Sequence, residues 1–124
     1  MEFEIHSRNG FIEAVTHGDG DVDVFQKLLS ELLKYPEWKP GFPILINHSD
    51  LNAGPLNVDE VKQLADMIKT ARDELGSSRM AIFVPGDLQY GLGRMWQAFV
   101  EDKWSGTSKL FRSREDAVSC LIHE

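Results

Sequence analysis

Residues His48, Ser49 and Asp50 are the three side-chain types of a hydrolase triad, written consecutively. A working triad draws its members from separate chain segments and sets its nucleophile on a sharp, glycine-flanked turn. Neither condition holds here, so these residues are expected at the polar rim of a sheet. In open α/β sheets that rim, outside the carboxyl ends of the strands, is where ligands bind. Asn47 and Asp87 are expected to share it. A second cluster, His17 with Asp19, Asp21 and Asp23, invites a calcium loop, but Val24 and Ser30 stand where the loop needs glycine and an acidic residue. An acidic turn opening a helix is the better reading. His6, His17 and His123 lie far apart, with no second histidine at metal-ligand spacing, so no metal and no cofactor is expected. The glycines of "GLGRMW" are no dinucleotide fingerprint, because they fall inside a helix and the third is missing. Tyr90, Arg94, Gln97 and Glu101 recur about once per helical turn. Tyr and Arg are enriched at binding hot spots, so this helix face is a candidate docking surface.

These residues need a scaffold. The chain has 124 residues, 42% of them hydrophobic, which suits a single domain over residues 1–124 with one core. Thirteen Lys and Arg against twenty Asp and Glu give a net charge of -7, unfavourable for nucleic acid or an anionic membrane. Cys120 is the only cysteine, which excludes an intramolecular disulfide and fits a cytoplasmic setting. No apolar run approaches the roughly 20 residues of a membrane span.

Asn9-Gly10 between two apolar-rich runs predicts an antiparallel hairpin. The loop 16–21 then leads to a helix with Val22, Phe25, Leu28, Leu29, Leu32 and Leu33 on one stripe, stopped by Pro36. "FPILIN" predicts a buried strand. Asn57 with Glu60 predicts a capped second helix running to Gly76, and "RMAIFVP" a second buried strand. A third helix follows with Asp87 as its N-cap, then the strand "SKLF" and a last helix begun by Ser113 and Asp116 and holding Cys120 near its apolar stripe. This order predicts an α/β fold: one mixed, mostly parallel sheet of about five strands, an N-terminal antiparallel hairpin and about four helices. In the third helix Gly91 and Gly93 flank the stripe of Leu92, Met95, Trp96 and Phe99. Each weakens the helix by roughly 1 kcal/mol relative to alanine. The expected gain is close packing on the sheet, or the wall of a groove.

The segment "RMAIFVPGDLQYGLGRMWQAF" leading to "KLFRSREDAVSCLI" resembles the SpoIIAA-like branch of the STAS family, named for sulfate transporters and anti-sigma-factor antagonists. The matching residues are Tyr90, Gly91, Arg94, Met95 and Trp96, then Phe111, Arg112, Glu115, Ala117 and Leu121. The resemblance implies a non-enzymatic regulatory module that engages a protein partner or a second copy of itself. It also implies a phosphorylated Ser or Thr at the start of the helix after the central strand. Here Asn57 stands at that position, and Asn accepts no phosphoryl group. The alternative expectation is a carrier of a small apolar molecule or lipid, with "MWQAFVEDKW" roofing a pocket beneath Trp96 and Trp104.

Overall fold

The computed structural model describes residues 1–123. The chain forms β1 (Glu2–Ser7), β2 (Ile12–Asp19), α1 (Val22–Leu33), β3 (Ile44–Asn52), α2 (Val58–Thr70), α3 (Arg72–Leu75), β4 (Arg79–Phe83), α4 (Asp87–Val100), β5 (Thr107–Phe111) and α5 (Arg114–His123). Its five strands lie side by side in chain order, β1 antiparallel to β2 and the remaining pairs parallel. The expected α/β architecture is therefore present.

Each parallel crossover moves one strand further in the same direction, and right-handed crossovers of that kind place their helices on one face. Accordingly α1, α2 and α4 cover one face, where Leu28, Leu32, Ala65, Ile68 and Val100 pack over Ile12, Ile44 and Met80. The chain turns after β5, and α5 covers part of the other face, setting Ala117 and Leu121 against Phe11, Leu45 and Ala81.

Several boundaries differ from expectation. Of the turn pair, only Gly10 takes a positive φ, 94°, and the hairpin closes with Arg8 N–H donating to the Phe11 carbonyl at 2.9 Å. The predicted second helix breaks at Ala71, giving five helices where about four were expected. Thr70 Oγ1 donates to the Asp66 carbonyl at 3.0 Å, a back-bond that bends helices. The third predicted helix is α4, and its N-cap is Gly86, not Asp87. Gln89 Oε1 takes the Gly86 N–H at 2.9 Å, leaving the Asp87 carboxylate to Arg112 at 2.7 Å. At α2 the expectation holds: Asn57 accepts from Glu60 N–H at 2.9 Å and Glu60 accepts from Asn57 N–H at 3.1 Å.

The largest difference lies in β2 and β3. His17, Gly18 and Asp19 are not loop but strand, paired with Asp50, Leu51 and Asn52, and β3 runs five residues past Asn47. Backbone hydrogen bonds set this pairing, and side-chain alternation does not report them. Between the Val15–Asn47 and His17–Asp50 pairs the register shifts, so that Thr16 faces both His48 and Ser49 across a β-bulge.

The α4 glycines divide. A Cβ on Gly93 would meet Leu110 Cδ2 at 3.0 Å, so Gly93 lets the helix approach β5 closely, whereas nothing in the structure explains Gly91. Gly106 is the more stringent position. A Cβ there would overlap the Trp104 ring and the Ser78 carbonyl oxygen, the same oxygen that accepts from Thr107 N–H at 3.0 Å. Trp104 is held in turn by its indole N–H, 2.7 Å from the Gly76 carbonyl. Gly106→Ala is expected to lose about 2 kcal/mol, seen as a lower urea midpoint at unchanged m-value.

Candidate functional site

Three helices over one sheet face leave space where their side chains do not meet. The result is a cavity of about 140 Å³ between β3 and β4 beneath and α1, α2 and α4 above. Ile46 and Ile82 form its floor, Phe25 and Leu64 two of its walls, and Leu92 and Trp96 part of its roof. Gly93 belongs to that roof as well, so the missing side chain serves both close packing and the cavity wall. Trp104, expected to share the roof, binds Gly76 instead and lies outside the lining.

Apart from the Trp96 indole, two lining side chains bring nitrogen or oxygen to this wall: His48 and Gln89. Gln89 reaches from the first turn of α4 across to β3, its Nε2 donating to the carbonyls of His48 at 2.8 Å and Leu51 at 2.7 Å. It thereby clamps the end of β3 to the start of α4. His48 stands at the bulge, its Nδ1 2.7 Å from Thr16 Oγ1 and its ring edge-on to Phe25, with centroids 5.6 Å apart. Burial pushes the imidazole down to a pKa of about 4, so the ring is neutral at pH 7.

The five rim residues do not line one cleft: of them only His48 borders the cavity, and only Asn47 and Ser49 bond each other. His48 meets the cavity, while Asn47 Nδ2 donates to Glu13 at 3.1 Å. Ser49 Oγ donates to Asn47 Oδ1 at 2.7 Å, Asp50 lies 3.6 Å from His17 Nδ1, and Asp87 pairs with Arg112. Ser49 and His48 have separate partners, which is not the arrangement of a nucleophile and its base. The acidic cluster likewise disperses: Asp21 caps α1 through Asp23 N–H at 2.9 Å, and Asp19 accepts from Asn52 at 2.8 Å. Among the described residues no group of three or more His, Cys, Asp or Glu side chains is placed to hold a metal.

Along α4, Tyr90 is half-buried against the core, with the Arg112 guanidinium 4.3 Å above its ring. Gln97 is tied to β5 through the Ser108 carbonyl at 2.9 Å. Arg94 and Glu101 are exposed. Tyr90, Arg94 and Gln97 thus share α4 without sharing one solvated face, and Glu101 lies just past its end as the C-cap.

A further feature escaped the sequence reading. Glu13, on β2, is 1% exposed yet charged. Arg114 at the start of α5 donates to it twice, from Nε at 3.0 Å and Nη2 at 2.5 Å, and Arg8 Nε donates at 3.0 Å. Burial alone would raise its pKa, but the hydrogen bonds from Arg114, Asn47 and Arg8, with the positive charge of Arg114, hold it at about 2. An acidic residue inside the apolar run "FIEAV" was the available signal. Gln89 had one too, three residues beyond the helix cap.

Fold and site define a class: a SpoIIAA-like α/β layer with an apolar cavity between its sheet and three helices. The chain is similar in structure to an uncharacterized protein from the DUF3478 family with a SpoIIAA-like fold from Shewanella loihica PV-4. The TM-score is 0.62 at 20% sequence identity, covering 98% of this chain and 93% of that chain. That likeness shows the fold. No family model and no curated protein matches the sequence. No helix among the described residues is long and apolar enough to cross a membrane.

Proposed function

We propose that the protein is a non-enzymatic binding module whose ligand is a small apolar molecule held between the sheet and α1, α2 and α4. The cavity carries this reading. Interiors are close-packed, and voids larger than a water molecule are few. An apolar space of about 150 Å³ stays dry and accepts a benzene ring, and this one has about 140 Å³ with an almost wholly apolar lining. Toluene is therefore expected to bind saturably, adding about 1.4 kcal/mol of stability at ten times its Kd. Ala53→Leu, at a position bordering the cavity, is expected to abolish that response. A toluene effect on the unfolding midpoint that never saturates, or that persists in full in Ala53→Leu, would sink the reading.

The second reading is a regulatory module that engages a protein partner or a second copy of itself through the outer side of α4. Its support is the SpoIIAA-like fold together with Arg94, exposed and without a partner among the described residues, and Leu88, which is 55% exposed.

A further inference from the structure

We infer that His48 makes the cavity selective for a single-ring apolar molecule carrying one hydrogen-bond donor, a phenol, over a carboxylate of the same size; this rests on the cavity being a ligand site.

Size gives the first match, because about 140 Å³ accommodates one six-membered ring. Polarity gives the second. Gln89 is committed: its two amide hydrogens lie on the His48 and Leu51 carbonyls and its oxygen on Gly86 N–H. His48 is committed at one nitrogen only, since no described residue bonds Nε2.

The hydrogen-bond chain assigns the tautomer. Thr16 has one hydroxyl hydrogen and two neighbours, the Asn47 carbonyl at 3.3 Å and His48 Nδ1 at 2.7 Å. If Thr16 donates to Asn47, His48 Nδ1–H donates to Thr16 Oγ1 and all three groups are satisfied. The reverse leaves the Asn47 carbonyl without the Thr16 hydrogen. Satisfying every group puts the imidazole hydrogen on Nδ1 and makes Nε2 a bare acceptor. A guest hydroxyl that donates to Nε2 completes the chain guest to His48 to Thr16 to Asn47. A carboxylate has no hydrogen to give, and no cationic side chain lines the cavity to offset its desolvation.

The test compares toluene, phenol and benzoate by calorimetry on the wild-type protein and on His48→Leu and His48→Gln, with ¹⁵N NMR of labelled histidine in the wild type. Phenol is expected to bind and to shift the Nε2 resonance, and toluene to bind without doing so. Benzoate is expected not to bind. His48→Leu is expected to weaken phenol roughly tenfold, the loss of one buried hydrogen bond, with toluene affinity kept and His48→Gln retaining much of the phenol affinity. If toluene binds but phenol leaves Nε2 unmoved, loses no more than toluene does in His48→Leu, or binds no better than benzoate, the inference is overturned and the cavity reading stands. If neither toluene nor phenol binds saturably, both are overturned. Should His48→Leu not fold, the wild-type Nε2 shift decides alone.

Discussion

Glu13→Ala is expected to lower folding stability by about 3 kcal/mol, read as a shift of the urea midpoint, with α5 the first element to lose amide protection. The carboxylate is buried at the centre of four hydrogen bonds, two from Arg114, one from Arg8 and one from Asn47. The arginines are 41% and 43% exposed at their side chains, so they can turn to water when the carboxylate is removed. That places the cost at the low end for breaking a buried pair. Asn47 has no such escape, because it is buried. The same interaction gives an acid limb. The unfolded chain takes up a proton near pH 4.5, whereas the folded chain resists until about pH 2. The contribution is full above pH 4.5 and is lost as pH falls toward 2, about 3 kcal/mol in all. A Glu13→Ala protein whose stability matches wild type at pH 7 would show that the pairing does not hold α5 to the sheet.

Acidification acts earlier at His48. Its ordinary pKa of 6.5 is pushed down to about 4 by burial, so the unfolded state binds a proton that the folded state refuses. Stability is full above pH 6.5 and declines by up to about 3 kcal/mol as pH falls to 4. The two groups titrate in succession, His48 from 6.5 to 4 and Glu13 from 4.5 to 2. Urea unfolding of wild type and His48→Gln at pH 7, 5 and 4 isolates the first limb, since the three other histidines are common to both proteins. The stability difference between the two is expected to move in favour of the variant as pH drops. A difference that stays constant from pH 7 to 4 would mean that the His48 ring is solvated in the folded state.

Local signals carried much of the scaffold. The alternation of strand-like and helix-like runs predicted the mixed, mostly parallel sheet, because side-chain period reports which face of an element is buried. Asn57 and Glu60 marked the start of α2 correctly, since a capping box is completed within four residues. The boundary at Gly86 was missed by one residue because Asp87 found a partner 25 residues away in Arg112, which no local pattern announces.

The site was less legible. His48 was identified as a residue of interest on account of its neighbours in the chain, Ser49 and Asp50, which take different partners. What distinguishes it is the bulge opposite Thr16, the burial of its ring and its place in the cavity wall. Tyr90 and Gln97 were placed on an open helix face by a count of helical turns. Arg112 and Ser108, arriving from β5 and its end, cover the first and tie down the second.

By itself, the order of residues determined the main elements, their sequence, the caps of α2 and α5 and the α/β layering, since each depends on propensity and on patterns within a dozen positions. Only the tertiary structure decided the reach of β3, the pairing of Glu13 with an arginine 101 residues away, and the existence of the cavity. An empty space has no residue of its own. It is what remains where side chains from three helices fail to meet over a sheet, and it is fixed by how the helices sit, not by any local run of the chain.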